Sequence, residues 1–138
     1  QIAEREEKVD ILVNNAGWTT LVPHGDLDGL TDEIFDKTFK VNVYGTWWLT
    51  KAAIPHLHKS DDGNVVNITS IAGVRPLGSS MAYAMTKAAL NHMTLLLALP
   101  LTDTSPTKGW SLQFFSRCHF IVLYSLRVKP ENTCATHG

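Results

Sequence analysis

The chain has 138 residues, of which 44% are hydrophobic and 18% are charged, and its formal net charge is -1. A composition of this kind is typical of one soluble globular domain, or of half a larger one, and argues against intrinsic disorder. The balance of 12 basic and 13 acidic residues leaves no electrostatic reason to expect nucleic acid or an anionic membrane as a partner.

The first predicted element is a buried strand. The apolar run from Val9 to Val13 is short and continuous, and the segment Asn14-Asn15-Ala16-Gly17 follows it as a loop. Residues 18–30 contain one proline and two glycines, and they are predicted to form a connecting loop.

A long helix is predicted next. Thr31 precedes two acidic residues and is the expected N-cap, and apolar residues then recur at helical spacing as far as Leu57. Pro55 is expected to kink or end this helix. The β-branched run from Val65 to Thr69 then predicts a second buried strand.

The remaining elements complete an alternating pattern. Ser79 or Ser80 is expected to cap a second helix that runs to about Leu99, and residues 120–128 are expected to form a third strand. This order predicts an α/β fold with two βαβ crossovers and an incomplete parallel sheet, whose strands are buried on both faces. Both helices would lie on one face, which leaves the other face and the edge beside Val9–Val13 bare.

Candidate catalytic residues gather at one edge of this sheet. The loops after the two strands meet there, because the carboxyl ends of parallel strands lie at one edge of the sheet. Ligands bind beyond those ends. Tyr83 and Lys87 are four residues apart and share a helix face, and a nearby cation favours a phenolate. The pair is therefore a sensible general acid/base, and Ser70 is placed to hold a carbonyl or alcohol oxygen. Taken alone, the Tyr83–Lys87 pair is more typical of a solvated helix surface than of a catalytic site.

Four ordered motifs resemble the short-chain dehydrogenase/reductase family, over about residues 9–98. They are the segments Asp10–Gly17, Lys40–Gly45, Gly63–Gly73 and Tyr83–Ala89. The resemblance implies a portion of a Rossmann-like, doubly wound parallel sheet. It divides the chain into a catalytic portion, residues 1–99, and a divergent C-terminal segment, residues 100–138, with one strand and a loose tail.

The resemblance also implies a function and its residues. It implies an oxidoreductase that uses NAD or NADP to interconvert a small-molecule carbonyl and a secondary alcohol by hydride transfer, with a tyrosine as general acid/base. The implied catalytic residues are Asn42, Ser70, Tyr83 and Lys87. The implied cofactor-binding residues are Asn14, Ala16, Gly17, Tyr83 and Lys87. Val74 to Leu77 lie where substrate pockets of the family are often lined.

The sequence departs from the family at both ends. The glycine-rich TGxxxGxG turn, which presents backbone N–H groups to the pyrophosphate, is not found among the thirteen residues before Asn14. The residue that selects NAD or NADP lies in the same upstream part of the family. The alternative is therefore a truncated, inactive fragment that keeps only helix surfaces for dimerisation, whereas the complete protein would be a dimer or tetramer. Candidate contact residues, with a core role equally open, are Trp47, Trp48, Leu57, Met93 and Leu96.

No metal site or membrane segment is expected. Cys118 and Cys134 lie far apart, the six histidines lack the spacing of metal ligands, and the apolar run at residues 120–124 is far shorter than a bilayer span. The charged opening segment does not read as a secretory signal, so a cytoplasmic location is the expectation.

Overall fold

The computed structural model of the chain describes residues 7–101, 110–114 and 122–128. The strands are β1 (Ile11–Asn14), β2 (Asn64–Ile68), β3 (Trp110–Phe114) and β4 (Val122–Arg127). The helices are α1 (Asp32–Phe39), α2 (Gly45–Leu57) and α3 (Met81–Leu101), with a π-helical segment (Lys40–Tyr44) between α1 and α2 and a 3₁₀ turn (Ile71–Gly73) after β2. The predicted loose tail and both cysteines lie outside the described residues.

The helices follow the predicted order closely. Helix α1, the π-helical segment and α2 run consecutively, and α2 continues through Pro55 to Leu57. Thr31 has extended backbone at the N-cap of α1, but its side chain makes no capping hydrogen bond. Ser80 does cap α3, because its hydroxyl accepts the Tyr83 N–H at 3.2 Å. The end of α3 at Leu101 lies two residues beyond the predicted one.

The sheet contains one parallel pair and two antiparallel pairs. Its strand order is β1-β2-β4-β3, with β1 parallel to β2 in a register that places Asn14 opposite Asn67. This pair and the intervening helices form the first predicted βαβ crossover and part of a Rossmann-like sheet. An α/β fold with an incomplete sheet is therefore confirmed.

The second predicted crossover is wrong as stated. The expected strand at residues 120–128 corresponds to β4, which runs antiparallel to β2, and the C-terminal segment holds a second strand, β3, that was not predicted. Since β4 is antiparallel to both of its neighbours, β3 has the direction of β2. After α3 the chain thus forms β3 in the expected direction at the outer edge of the sheet. It then reverses direction, and β4 lies between β2 and β3.

The two faces of the sheet differ. Leu12, Val65 and Leu126 pack with residues of both α2 and α3 in one hydrophobic core. The buried members of that core are Ala53, Leu57, Val65, Leu97, Ala98, Leu101, Leu126 and Val128. On the opposite face Ile11 is 63% exposed and Val13 is 52% exposed. The placement of both helices on one face is confirmed, and so is the bare second face of β1, because nothing within the described residues covers it. The general expectation that the strands are buried on both faces is wrong for β1.

Candidate active site

A chain of buried side chains fixes the carboxyl ends of β1 and β2. Asn14 donates from Nδ2 to Thr50 Oγ1 at 3.0 Å and to Asn67 Oδ1 at 2.8 Å. Asn67 donates in turn to Thr94 Oγ1 at 2.8 Å. We call Thr50, Asn14, Asn67 and Thr94 the asparagine ladder. Because buried polar groups are costly unless they are paired, the ladder holds the end of β1 to α2 and the end of β2 to α3.

Asn42 performs a similar task for the loop after β1. Its side chain is fully buried in the π-helical segment, where Oδ1 accepts the Trp18 N–H at 2.6 Å. Its Nδ2 donates to the Trp18 carbonyl at 2.9 Å and to Thr86 Oγ1 at 3.0 Å. Both amide hydrogens of Asn42 are thus engaged, and they tie the loop to α3.

A cavity of about 340 Å³ opens at this edge of the sheet. It brings together three of the four predicted catalytic residues, Ser70, Tyr83 and Lys87, whereas Asn42 lies behind its wall. The residues that line it are Asn15, Gly17, Trp18, Thr19, Ile68, Thr69, Ser70, Tyr83 and Lys87. The convergence follows from the fold, because β2 ends at Ile68 and α3 begins at Met81 beside it.

Ser70 donates no hydrogen bond from its hydroxyl to another of the described residues. The residue is 6% exposed and caps the 3₁₀ turn, where its Oγ accepts the Ala72 N–H at 3.2 Å. Since that bond uses Oγ as the acceptor, the O–H remains able to donate to another oxygen.

The 3₁₀ turn after Ser70 packs directly on the backbone of α3. A Cβ atom at Gly73 would lie 2.7 Å from the Lys87 carbonyl carbon and 2.9 Å from the Ala88 nitrogen, so only glycine permits this approach. The contact sets the separation of Ser70 from the helix that carries Tyr83. The sequence contains Gly73 within the Gly63–Gly73 motif, but no local pattern there indicates a contact with α3.

Lys87 offers a buried ammonium group beside Tyr83. It is 4% exposed, its Nζ donates to the Ile68 carbonyl at 2.9 Å, and it lies 5.6 Å from the centroid of the Tyr83 ring. Burial lowers the pKa of the Lys87 ammonium, because the charged form loses solvation. The arrangement can therefore place a cation, a phenol and a serine hydroxyl around one small molecule.

A second cavity, of about 290 Å³, adjoins the first and shares Asn15 with it. The predicted cofactor-binding residues divide between the two, with Asn14 and Ala16 in the second and Gly17, Tyr83 and Lys87 in the first. The residues that line the second cavity are Val13, Asn14, Asn15, Ala16, Val41, Gly45, Thr46 and Leu49. Sequence reasoning missed Asn15, although it stands within the motif.

The segment between Ser70 and Tyr83 borders a third, apolar cavity of about 250 Å³. Of the four residues expected to line a substrate pocket, this cavity contains Pro76 and Leu77, and Val74 is 52% exposed. The complete lining is His24, Pro76, Leu77, Met81, Ala84 and Met85. The loop of residues 18–30 contacts the segment before α3, because the Val22 N–H donates to the Ser79 carbonyl at 2.9 Å.

Neither a metal centre nor a membrane-spanning helix is present within residues 7–101, 110–114 and 122–128. No group of three histidine, cysteine or carboxylate side chains there is arranged to hold a metal ion. No helix of the described ranges combines the length and hydropathy needed to cross a bilayer.

The family model for short chain dehydrogenases matches residues 1–105. A Streptomyces violaceoruber protein named as a ketoacyl reductase of granaticin polyketide synthesis is 48% identical over 95 residues, which cover 69% of this chain and 38% of that protein. The 7alpha-hydroxysteroid dehydrogenase of Clostridium sardiniense is 43% identical over 100 residues, which cover 72% of this chain and 38% of the relative.

A solved structure is similar to this chain as well. The structure of ElxO with NADP bound superposes with a TM-score of 0.65 at 32% identity, and the match covers 72% of this chain and 39% of that one. The chain therefore spans somewhat more than a third of the length of the proteins that it matches.

Proposed function

The chain belongs to the short-chain dehydrogenase family, and from that premise we propose that it carries the proton-transfer site of an NAD(P)-dependent oxidoreductase that interconverts a carbonyl and a secondary alcohol. One observation supports this above all others: Ser70, Tyr83 and Lys87 line the same cavity. A phenol, a hydroxyl and a cation are the groups that such a proton transfer requires.

Each side chain has a distinct task in this proposal. Tyr83 exchanges a proton with the substrate oxygen, and the free O–H of Ser70 donates a hydrogen bond to that oxygen as its charge changes. Lys87 places its charge 5.6 Å from the centroid of the Tyr83 ring, and those of its N–H groups that do not donate to the Ile68 carbonyl are donors for ribose hydroxyls. Asn42 positions the wall of the site through the Trp18 backbone and Thr86.

The residues present fit the nicotinamide end of NAD or NADP. An added Cβ at Gly17 would lie 3.6 Å from Asn42 Oδ1 and 3.8 Å from Lys87 Nζ, so glycine keeps this cradle open. Lys87, Tyr83 and Gly17 would hold the nicotinamide riboside, and Asn14 and Ala16 would border the adenosine side. When it is bound, the nicotinamide supplies or accepts the hydride. The NADP bound to ElxO supports this assignment.

The alternative is a fragment that associates through its helices without catalysis. Trp47, Trp48 and Leu96 support it, being 42%, 56% and 52% exposed. Leu57 belongs to the core instead, since it is fully buried, and Met93 packs against the same core. In this reading the chain would form a homo-oligomer without a cofactor.

Nicotinamide fluorescence titration of the purified chain with NADH and NADPH separates the two proposals. We expect saturable binding that weakens in Tyr83→Phe and Lys87→Ala, because both side chains line the cavity. The matched controls are Tyr44→Phe and Lys51→Ala, which change exposed residues of the same types and should leave binding unchanged.

A turnover assay with a ketosteroid and a β-ketoester then tests the chemistry. Loss of the Tyr83 proton donor should lower kcat by about 10²–10⁴, the usual contribution of general acid/base catalysis. No binding of either dinucleotide, together with dimerisation in sedimentation velocity, would instead favour the associating fragment.

A further inference from the structure

Thr86 is a fully buried threonine on α3, between Tyr83 and Lys87. Its Oγ1 donates to the Tyr83 carbonyl at 2.7 Å and accepts from Asn42 Nδ2 at 3.0 Å. The hydroxyl therefore joins the turn of α3 that carries Tyr83 to the side chain that holds the loop after β1.

The Thr86 hydroxyl also fixes the orientation of the Asn42 amide. A hydroxyl has one hydrogen, and that of Thr86 is donated to the Tyr83 carbonyl, so its oxygen accepts from Asn42. The Asn42 nitrogen must then face Thr86, and the Asn42 oxygen is left to accept the Trp18 N–H at 2.6 Å. In the reversed orientation the Asn42 nitrogen would face the Trp18 N–H, and neither group could accept a hydrogen bond.

The backbone that this network holds forms one wall of the first cavity. A Cβ atom at Gly17 would lie 3.6 Å from Asn42 Oδ1 and 3.8 Å from Lys87 Nζ, so the Gly17 backbone passes close to the buried ammonium group. Trp18, the next residue, is bonded to Asn42 through both its N–H and its carbonyl. The separation of this wall from Lys87 therefore depends on the orientation of one buried amide.

We propose that Thr86 is a positioning residue for the dinucleotide side of this cavity, an inference that rests on the proposed function. Its hydroxyl keeps the Asn42 amide in the orientation that holds the Trp18 backbone. The space between Gly17 and Lys87 is thereby kept open for the nicotinamide riboside. Thr86 acts only through Asn42, because it is fully buried and is not among the described residues that line the cavity.

Two substitutions separate the hydroxyl of Thr86 from the shape of its side chain. Thr86→Val keeps the volume of threonine, but valine neither accepts from Asn42 nor donates to the Tyr83 carbonyl. Thr86→Ser keeps both hydrogen bonds. If the added methyl group of valine prevents folding, Thr86→Ala removes the hydroxyl without placing a carbon atom against the Asn42 amide. Cooperative urea unfolding shows that each variant is folded.

Thr94→Val is the matched control. Thr94 is also fully buried on α3, where its Oγ1 accepts from Asn67 Nδ2 at 2.8 Å and donates to the Leu90 carbonyl at 2.8 Å. Its loss therefore leaves an equivalent asparagine amide without its acceptor. Since Asn67 is not among the described residues that line the cavity, this loss should not move the Trp18 backbone.

Hydrogen exchange of single backbone amides, followed by NMR on the full chain, tests the positioning without a ligand. The Val22 amide is the reference, because it belongs to the same loop as Trp18 but donates to the Ser79 carbonyl at 2.9 Å. In Thr86→Val the Trp18 amide should exchange at least about tenfold faster relative to Val22, whereas Thr86→Ser and Thr94→Val should keep this ratio within about twofold of the wild type. An unchanged ratio in Thr86→Val, or an equal change in Thr94→Val, would overturn the proposal.

Titration with NADH, followed by nicotinamide fluorescence, tests the consequence for the dinucleotide. We expect Kd to rise by about tenfold in Thr86→Val and to stay within about twofold in Thr86→Ser and Thr94→Val, since one hydrogen bond of the wall is lost only in the first. An unchanged Kd in Thr86→Val would overturn the role toward the dinucleotide even if the exchange ratio changes. A wild-type chain that binds neither NADH nor NADPH would count against the oxidoreductase proposal, and the exchange ratio alone would then decide whether Thr86 positions the wall.

Discussion

The two faces of the β1–β2 pair differ in how far other elements of the chain cover them. On the covered face Leu12 and Val65 pack beneath α2 and α3, and the asparagine ladder continues the same face to the strand ends. On the open face Ile11 and Val13 are more than half exposed, although their apolar character equals that of their neighbours. The contrast shows that apolar character in a strand predicts burial only where the chain also supplies the covering element.

The proposed chemistry belongs to the covered side. Ser70, Tyr83 and Lys87 are placed by β2, the 3₁₀ turn and α3, all of which pack among themselves. The second cavity borders the exposed residue Val13 and the exposed residue Leu49 instead. This difference explains how a chain of little more than a third of its relatives' length can bring Ser70, Tyr83 and Lys87 together in one cavity.

The largest change in stability is expected when a core side chain of the covered face is removed. Leu57→Ala should lower the free energy of unfolding by about 2–5 kcal/mol, because it leaves a cavity in a fully buried position. Leu27→Ala is the matched control, since Leu27 is 68% exposed and should change stability by less than about 0.5 kcal/mol. Urea denaturation measures both, and equal losses would contradict the assignment of the core.

Gly73 tests the close contact between the 3₁₀ turn and α3. Gly73→Ala should cost about 1–3 kcal/mol of stability, because the added methyl group meets backbone atoms that cannot move aside. Gly25→Ala is the control, as a Cβ there would meet nothing within 4 Å. A Gly73→Ala variant as stable as the control would show that the turn is not packed as described.

The burial of Lys87 gives a smaller, pH-dependent effect. Folding lowers the pKa of Lys87. At pH values between the folded-state pKa and the ordinary lysine pKa, the unfolded chain therefore binds more protons than the folded chain. The free energy of unfolding of the wild type rises with pH in that window. Lys87→Met lacks this gain, so its stability relative to the wild type should fall as pH rises towards the ordinary lysine pKa of about 10.4. Urea titrations at several pH values measure this difference, and a stability difference that does not change with pH for Lys87→Met would contradict the burial penalty.

The smallest expected effect is on the open face. Ile11→Thr and Val13→Thr keep β-branched side chains on exposed positions and should each change stability by less than about 0.5 kcal/mol. Val65→Thr introduces a hydroxyl at a fully buried position and should cost about 1–3 kcal/mol. Similar losses for Val13→Thr and Val65→Thr would show that the two faces are equally covered.

Much of this arrangement could be predicted from the sequence because it depends on local patterns. The β-branched run around Val65 predicts β2 to within one residue, and the helical spacing from Thr31 predicts the end of α2 at Leu57. The meeting of Ser70 with Tyr83 and Lys87 follows from the rule that ligand sites lie at the carboxyl ends of parallel strands.

Other features depend on tertiary contacts that no local pattern contains. The π-helical segment at Lys40–Tyr44 inserts within an apolar stripe that reads as continuous helix. The antiparallel β4 depends on a chain reversal that residues 100–138 do not signal clearly. The pairing of Asn14 with Asn67 requires the register of two strands, which only the folded sheet provides.

The asparagine ladder also has a consequence for how the molecule opens. Its hydrogen bonds join α2, β1, β2 and α3 in series, so neither helix can leave the sheet without stranding a buried amide or hydroxyl of the next element. The backbone amide protons of these four elements should therefore exchange with deuterated solvent through one correlated opening event rather than element by element. A site built across such a unit is either wholly assembled or wholly absent.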